Sequence, residues 1–286
     1  MLDLILVPLV AALVILAINA YFGLHIIRRG VIFVDLAFAQ IAALGSTVAF
    51  MLGIHAEDAT SYLFAFGFTV LGALLFSVTR VEDGHVSQEA YIGISYVVAS
   101  AAVILLSSFS PEGAEHIKET LTGSLIWVTW PTVAKMAAVY ALIALFHWVV
   151  RSQMIAVTFA PQTVRRVRLW DFIFYMSFGV AITFSVNVAG VLLIFSTLVI
   201  PAVIAYMYTT KFMPALLIAW LAGAIAIASG VAVSFVWDIT TGPLLVVAFG
   251  IVLILAVLLK PLIGRRTPAP LDATDVPGAA TGAAHD

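Results

Sequence analysis

Residues 172–208 read FIFYMSFGVAITFSVNVAGVLLIFSTLVIPAVIAYMY, without one charged side chain. A helix rises about 1.5 Å per residue, so roughly 20 apolar residues cross a ~30 Å hydrocarbon core with every backbone group bonded internally. This stretch is nearly twice that length. It reads as two spans, Phe172 to Val188 and Gly190 to Tyr208, hinged at Asn187 and Gly190. Read as a single span, it lowers the total from nine to eight.

Seven further apolar segments lie outside it: Leu4 to Leu24, Val31 to Gly53, Tyr62 to Val78, Ala90 to Ser108, Val133 to Val150, Pro214 to Val236 and Pro243 to Leu262. The composition is 63% hydrophobic and 10% charged, far from the soluble average of about a quarter charged. The expectation is an all-α polytopic membrane bundle of eight or nine transmembrane helices over residues 1–263. The remaining 264–286, rich in Ala, Pro, Gly and Asp, is expected to be a disordered cytoplasmic tail.

Of thirteen Lys and Arg residues, all but Lys118 and Lys135 fall in alternate gaps between spans: Arg28, Arg29, Arg80, Arg151, Arg165, Arg166, Arg168, Lys211, Lys260, Arg265 and Arg266. The positive-inside rule assigns that face to the cytoplasm, with the N-terminus outside and an odd number of crossings. The first segment carries Asp3 and no basic flank before it, so it reads as a retained helix of a multi-pass inner-membrane protein. No cysteine is present, hence no disulfide and no thiolate metal site. In the eighth span Ala222, Ala226 and Gly230 form one small-residue ridge and Ala219 and Gly223 another. Such ridges suit close packing within the bundle or across a dimer.

Several functions are excluded by what is missing. No phosphate loop, H-E-x-x-H or G-x-S-x-G is encoded, so the chain reads as a transport subunit without its own ATPase and not as an enzyme. Asp35, Glu89, Lys135 and Asp171 all sit within about two turns of a span end. Proton-coupled carriers keep titrating groups deep in the bilayer, so coupling of that kind is disfavoured.

The longest cytoplasmic loop, Arg151 to Trp170, reads RSQMIAVTFAPQTVRRVRLW. Pro161 suits a helix start and Arg165, Arg166 and Arg168 a helix end, which describes a short surface helix able to dock into a separate ATPase. The same arginines also serve as plain positive-inside anchors. Asn187 and Gly190 suit either a broken helix lining a cavity or an ordinary outer turn. Ser196 and Thr197 stand before Pro201, where their hydroxyls are expected to satisfy carbonyls freed by the proline. His147, beside Trp148, reads as an interfacial anchor. His25 adjoins Arg28 and Arg29 and is a poor cation ligand. The outer loops hold His55, Glu57 and Asp58, then Glu112, Glu115, His116 and Glu119, suited to first contact with a metal or to docking a binding protein.

Several stretches resemble the zinc, manganese and iron permease family of ABC importers. Gly190-Val191-Leu192-Leu193 through Leu198-Val199-Ile200-Pro201-Ala202-Val203-Ile204-Ala205 is similar to the family's G-V-L-L…P-A-a-t-A. Glu89-Ala90-Tyr91-Ile92-Gly93 resembles its acidic-x-x-x-Gly helix start, and Leu121-Thr122-Gly123-Ser124-Leu125 its L-x-G-s-l. Asp238-Ile239-Thr240-Thr241-Gly242 resembles D-x-P-x-G. Phe159-Ala160-Pro161-Gln162-Thr163-Val164-Arg165 resembles the coupling segment F-D-P-E-x-A-R without its acidic residues. The family's F-x-G-D-A-x-S-H, associated with the metal path, aligns so that its Asp falls on Leu36 and its His on Gln40. Asp35 sits one place early, and five residues from Gln40 is about 140° net around a helix.

The resemblance implies a type II importer-like permease for zinc or manganese, with iron also in range, and no bound cofactor beyond the transported metal. Its partners would be a second copy of the chain, an ATP-hydrolysing ABC subunit, a periplasmic or lipid-anchored solute-binding protein and membrane lipid, with no nucleic acid. It places Gln40 on the translocation path and Pro161, Gln162, Arg165 and Arg166 at the ATPase; Asp35, one place from the family's acid, and Asn187, by the broken-helix reading, are the further path candidates. By residue type alone, His55, Asp58, Glu115 and His116 are candidates for outer metal contact or for docking a binding protein. A metal chelate as cargo, or a stand-alone secondary transporter or channel, are the alternatives.

Overall fold

The computed structural model of the chain describes residues 2–54, 59–80, 86–109 and 125–261. Its helices are α1 (Leu2–Arg29), α2 (Val34–Met51), α3 (Ala59–Val78), α4 (Gln88–Ser107), α5 (Trp130–Val149), the short α6 (Arg151–Phe159), α7 (Val167–Tyr208), α8 (Phe212–Trp237) and α9 (Thr241–Leu259). Short 3₁₀ turns cover Leu125–Trp127 and Pro161–Thr163. No described residue lies in a strand. His55, Glu57, Asp58, Glu112, Glu115, His116, Glu119, the first four residues of Leu121–Leu125, the side chain of Asn187 and the tail from 264 lie outside the described residues.

Helix α7 holds 42 residues and contains one non-helical position, Gly190, at φ 74° and ψ 159°. If it ran straight, Asp171 and Tyr206 would stand about 50 Å apart. Both instead lie against the same end of α1. Arg29 Nη1 donates to Asp171 Oδ1 at 2.7 Å, Arg28 sits 5.9 Å from the Tyr206 ring centre, and the Tyr206 hydroxyl donates to the Leu24 carbonyl at 3.0 Å. The chain therefore doubles back at Gly190, in a backbone region essentially closed to residues with a Cβ. Nine segments long and apolar enough to cross a membrane result among the described residues. The reversal also puts Arg29, Arg80, Lys211 and the α6 elbow at one face, the cytoplasmic one of the charge rule.

In lipid, helices gain little from apolar burial against each other and associate through close packing and hydrogen bonds. Both devices appear on α1. Gly23 lets the Leu198 carbonyl of the returning half of α7 come so near that a Cβ would overlap it. One turn away Asn19 Nδ2 donates to Thr197 Oγ1 at 2.9 Å. The α8 ridges resolve inward: Gly223 meets Leu16 of α1 and Gly230 meets Leu245 of α9, within one protomer. Between α1, α2, α3 and α7 the core is aromatic, with Phe22, Phe38, Phe76, Phe174 and Phe178 buried in edge-on and stacked contacts.

Two local expectations are corrected. Pro201 deprives the Thr197 carbonyl of its helical donor, yet Ser196 Oγ donates to Leu192 O and Thr197 Oγ1 to Ile194 O, both further back along the helix. His147 is not an interfacial anchor. It is 3% exposed, with Nδ1 bonded to Tyr21 Oη at 2.9 Å and Nε2 to Ser177 Oγ at 2.7 Å. Its neighbour Trp148, about 100° around the helix, takes the outer position instead.

Candidate coupling elbow and cation path

Three helix ends converge on one carboxylate. Asp171, in the opening turns of α7 and with its side chain 0% exposed, pairs with Arg29 at 2.7 Å and Arg80 at 2.5 Å; those side chains are 4% and 16% exposed. Two cations around one anion leave a net positive cluster, and neighbours spread that charge. Arg29 lies 3.8 Å from the Phe174 ring centre, the contact that a ring's negative face offers a cation. Arg29 Nε also donates to Thr158 Oγ1 at 3.1 Å, and Arg80 Nη2 to the Val157 carbonyl at 3.2 Å.

Val157 and Thr158 belong to α6, so the cluster fastens this short helix to α1, α3 and α7. Thr158 Oγ1 also bonds His25 Nδ1 at 2.8 Å, while Phe159 meets Phe212 and lies under Arg28. Here the sequence expectation is corrected. The surface helix ends at Phe159, before Pro161, because proline at 161 cannot supply the amide that a continuing helix requires. Pro161–Thr163 form a 3₁₀ turn, and Arg166, at φ 64°, turns the chain into α7. Arg165, Arg166 and Arg168 thus flank the start of α7, where the helix dipole disfavours cations; that dipole does not explain their presence.

The elbow borders an open cavity of about 560 Å³ on the arginine-rich face, lined by Arg80, Pro161, Gln162, Val164, Arg166, Val167 and Arg168. Three expected coupling residues, Pro161, Gln162 and Arg166, line it. Arg165 is exposed beside it and not part of its wall.

The proposed path residues fall near the same face. Asp35, in the first turn of α2, is 2% exposed, and Gln40 is 8% exposed. Despite their angular offset both are buried, because α2 is enclosed by α3, α4 and α7. Glu89, in the first turn of α4, accepts the amide of Phe33, two residues before Asp35, on Oε1 at 3.1 Å. One oxygen of each carboxylate, Asp35 Oδ1 and Glu89 Oε2, is buried without a hydrogen-bond partner among the described residues. Among the described residues no three His, Asp or Glu side chains converge as a metal cluster. The backbone of Asn187 is helical, three residues before the Gly190 reversal.

Residues 1–260 match the ABC 3 transport family. The chain belongs to the ABC 3 transport family. Similar ABC 3 chains include the manganese transport system membrane protein MntC of Listeria innocua, 21% identical over 88% of this chain and 89% of that one. The chelated iron transport system membrane protein YfeD of Yersinia pestis is 24% identical over 92% of this chain and 88% of that one. Among solved structures, PsaBC from Streptococcus pneumoniae in complex with Fab shares the fold at a TM-score of 0.71, with 20% identity, 87% of this chain and 89% of that one. An inward-facing metal-chelate type ABC transporter aligns at 0.59, with 20% identity over 89% of this chain and 83% of that one.

For this ABC 3 family member, sequence reasoning missed the Arg29–Asp171–Arg80 cluster and the nearness of Glu89 to Asp35. A signal for the second was present. Both acids open helices that start from the same face, where helix N-termini attract carboxylates to a common level.

Proposed function

We propose that this chain is the permease subunit of a metal-type ABC importer, with a divalent cation as cargo and manganese foremost. Two copies form the pathway, a solute-binding protein delivers the metal from outside, and separate ATPase subunits grip the elbow at Pro161, Gln162, Arg165 and Arg166. Asp35, Gln40 and Asn187 belong to the translocation path. The observation that carries the reading is the elbow itself, an exposed basic bowl fastened to the bundle through Asp171. Family membership and relatives named for manganese and iron transport support it.

The donor chemistry supports manganese over zinc. Asp35, Glu89 and Gln40 offer oxygen, which suits Mn²⁺, whereas the imidazole of the family pattern, replaced here by Gln40, suits zinc. A conduit needs weak, multi-site contact, so a partial set of oxygens is adequate. A second reading, a metal chelate as cargo, is favoured by the chelated-iron relative and the metal-chelate type structure.

The test is metal content and uptake in cells lacking the chain, for manganese, zinc, iron and cobalt, with and without chelators. Manganese accumulation should fall and return with the gene. Restoration by a chain carrying Arg165→Glu and Arg166→Glu, or transport down a gradient at full rate by the chain alone in vesicles, would refute ATPase coupling through the elbow.

A further inference from the structure

Helix α5 packs on α1 and α7 but does not close against α8, and the space between α1, α5 and α8 is a groove of about 590 Å³. Its α5 wall is a helical stripe of Ala137, Ala141 and Ala144, then Trp148, then Arg151 just past the helix end. From Ala137 to Trp148 the stripe rises about 16 Å. That is close to one leaflet of a ~30 Å hydrocarbon core. Ala137, Val14 and Trp220 mark the inner end near mid-membrane, and Arg151 and Phe212 the cytoplasmic mouth.

Four polar side chains of the wall, Tyr21, Tyr140, His147 and Trp220, are already hydrogen-bonded within the protein. Tyr21 Oη and His147 bond each other, and His147 also bonds Ser177. The Tyr140 hydroxyl lies 2.5 Å from Ser185 Oγ, and Trp220 Nε1 donates to the Ala17 carbonyl at 3.1 Å. Along most of its length the wall thus offers a guest hydrocarbon contact, with no carboxylate to bind a bare cation. Arg151 differs. It is exposed, forms no salt bridge among the described residues, and stacks over Trp148 with its Cζ 5.6 Å from the ring centre. A guanidinium so placed presents a fork of donors to a phosphate at headgroup level.

We propose that the α1–α5–α8 groove is a binding site for one anionic phospholipid of the cytoplasmic leaflet, its acyl chain along the alanine stripe and its phosphate on Arg151. Charge at one end, satisfied apolar walls and one-leaflet length together select an anionic amphiphile over a soluble ligand. The arginine should discriminate phosphatidylglycerol from the zwitterionic phosphatidylcholine, since juxtamembrane basic residues favour anionic lipid by about 1 kcal/mol each.

The test uses the full chain in mild detergent, titrated with phosphatidylglycerol or phosphatidylcholine of equal chain length and read by native mass spectrometry. Wild-type protein should retain one phosphatidylglycerol per chain with about fivefold preference. Arg151→Gln should lose that preference, Arg151→Lys should keep most of it, and Ala144→Trp should expel both lipids. A phosphatidylglycerol with a photoreactive group at its acyl terminus should label wild-type residues around Val14, Ala137 and Trp220, a readout that needs no variant to fold. The proposal falls if Arg151→Gln keeps the preference or if labelling avoids the groove's inner end. It also falls if Ala144→Trp leaves lipid retention intact and instead separates chain dimers, which would make the groove a seat for a second copy.

Discussion

Replacing Asp171 with Ala should be among the most damaging single changes in this chain. The carboxylate is fully buried and, among the described residues, is the sole anion paired with Arg29 and Arg80. Its removal leaves two largely buried guanidiniums facing each other, and breaking a buried pair by deleting one partner typically costs about 3–5 kcal/mol. At about 1.4 kcal/mol per tenfold, that is a loss of roughly two to three and a half powers of ten in the folding equilibrium. Arg80→Met is the informative contrast. Arg80 is the more exposed cation, and its loss leaves Arg29 and Asp171 as a neutral pair, so the cost should be well below that of Asp171→Ala. The assay is thermal unfolding in one detergent for both variants, paired with ATPase stimulation in the assembled transporter. The Ala variant should unfold many degrees earlier, while the Met variant remains folded with weakened stimulation, because Arg80 also holds the Val157 carbonyl of α6. Equal unfolding temperatures for the two variants would refute the assignment of Asp171 as the shared anchor.

Gly190→Ala places a Cβ at φ 74° and ψ 159°, which should cost about 1–3 kcal/mol and reduce membrane yield; a yield and unfolding temperature equal to wild type would contradict the reversal described for α7. Gln40→Ala should lower manganese uptake with little change in assembly, and Gln40→His should shift competition in favour of zinc by supplying an imidazole. Metal competition in whole-cell uptake measures both, and unchanged selectivity in the His variant would remove Gln40 from the path.

The spans were legible because lipid imposes one long-range requirement, backbone satisfaction over a fixed thickness, that local composition reports directly. The return between the sixth and seventh spans was legible only as one of two readings, nine spans or eight, since a glycine in a long apolar run suits a reversal without requiring one. What stayed hidden was pairing between distant segments. Asp171 meets Arg80 across 91 positions and Arg29 across 142, and nothing local distinguishes those arginines from other positive-inside residues. His147 was misread for a different reason. Adjacent helical positions point about 100° apart, so an interfacial tryptophan says little about the residue before it. Asp35 and Gln40 stand about 140° apart around α2, yet a helix packed against α3, α4 and α7 buries both, so the angle between them does not separate a buried from an outer side.

One hydroxyl has an outsized mechanical effect. Thr158 Oγ1 is shared by His25 and Arg29, one turn apart on α1, so α6 cannot slide along that helix without losing both contacts together. Any load placed on the elbow would therefore be shared among α1, α3 and α7, as a handle bolted at three points shares its load with the whole door.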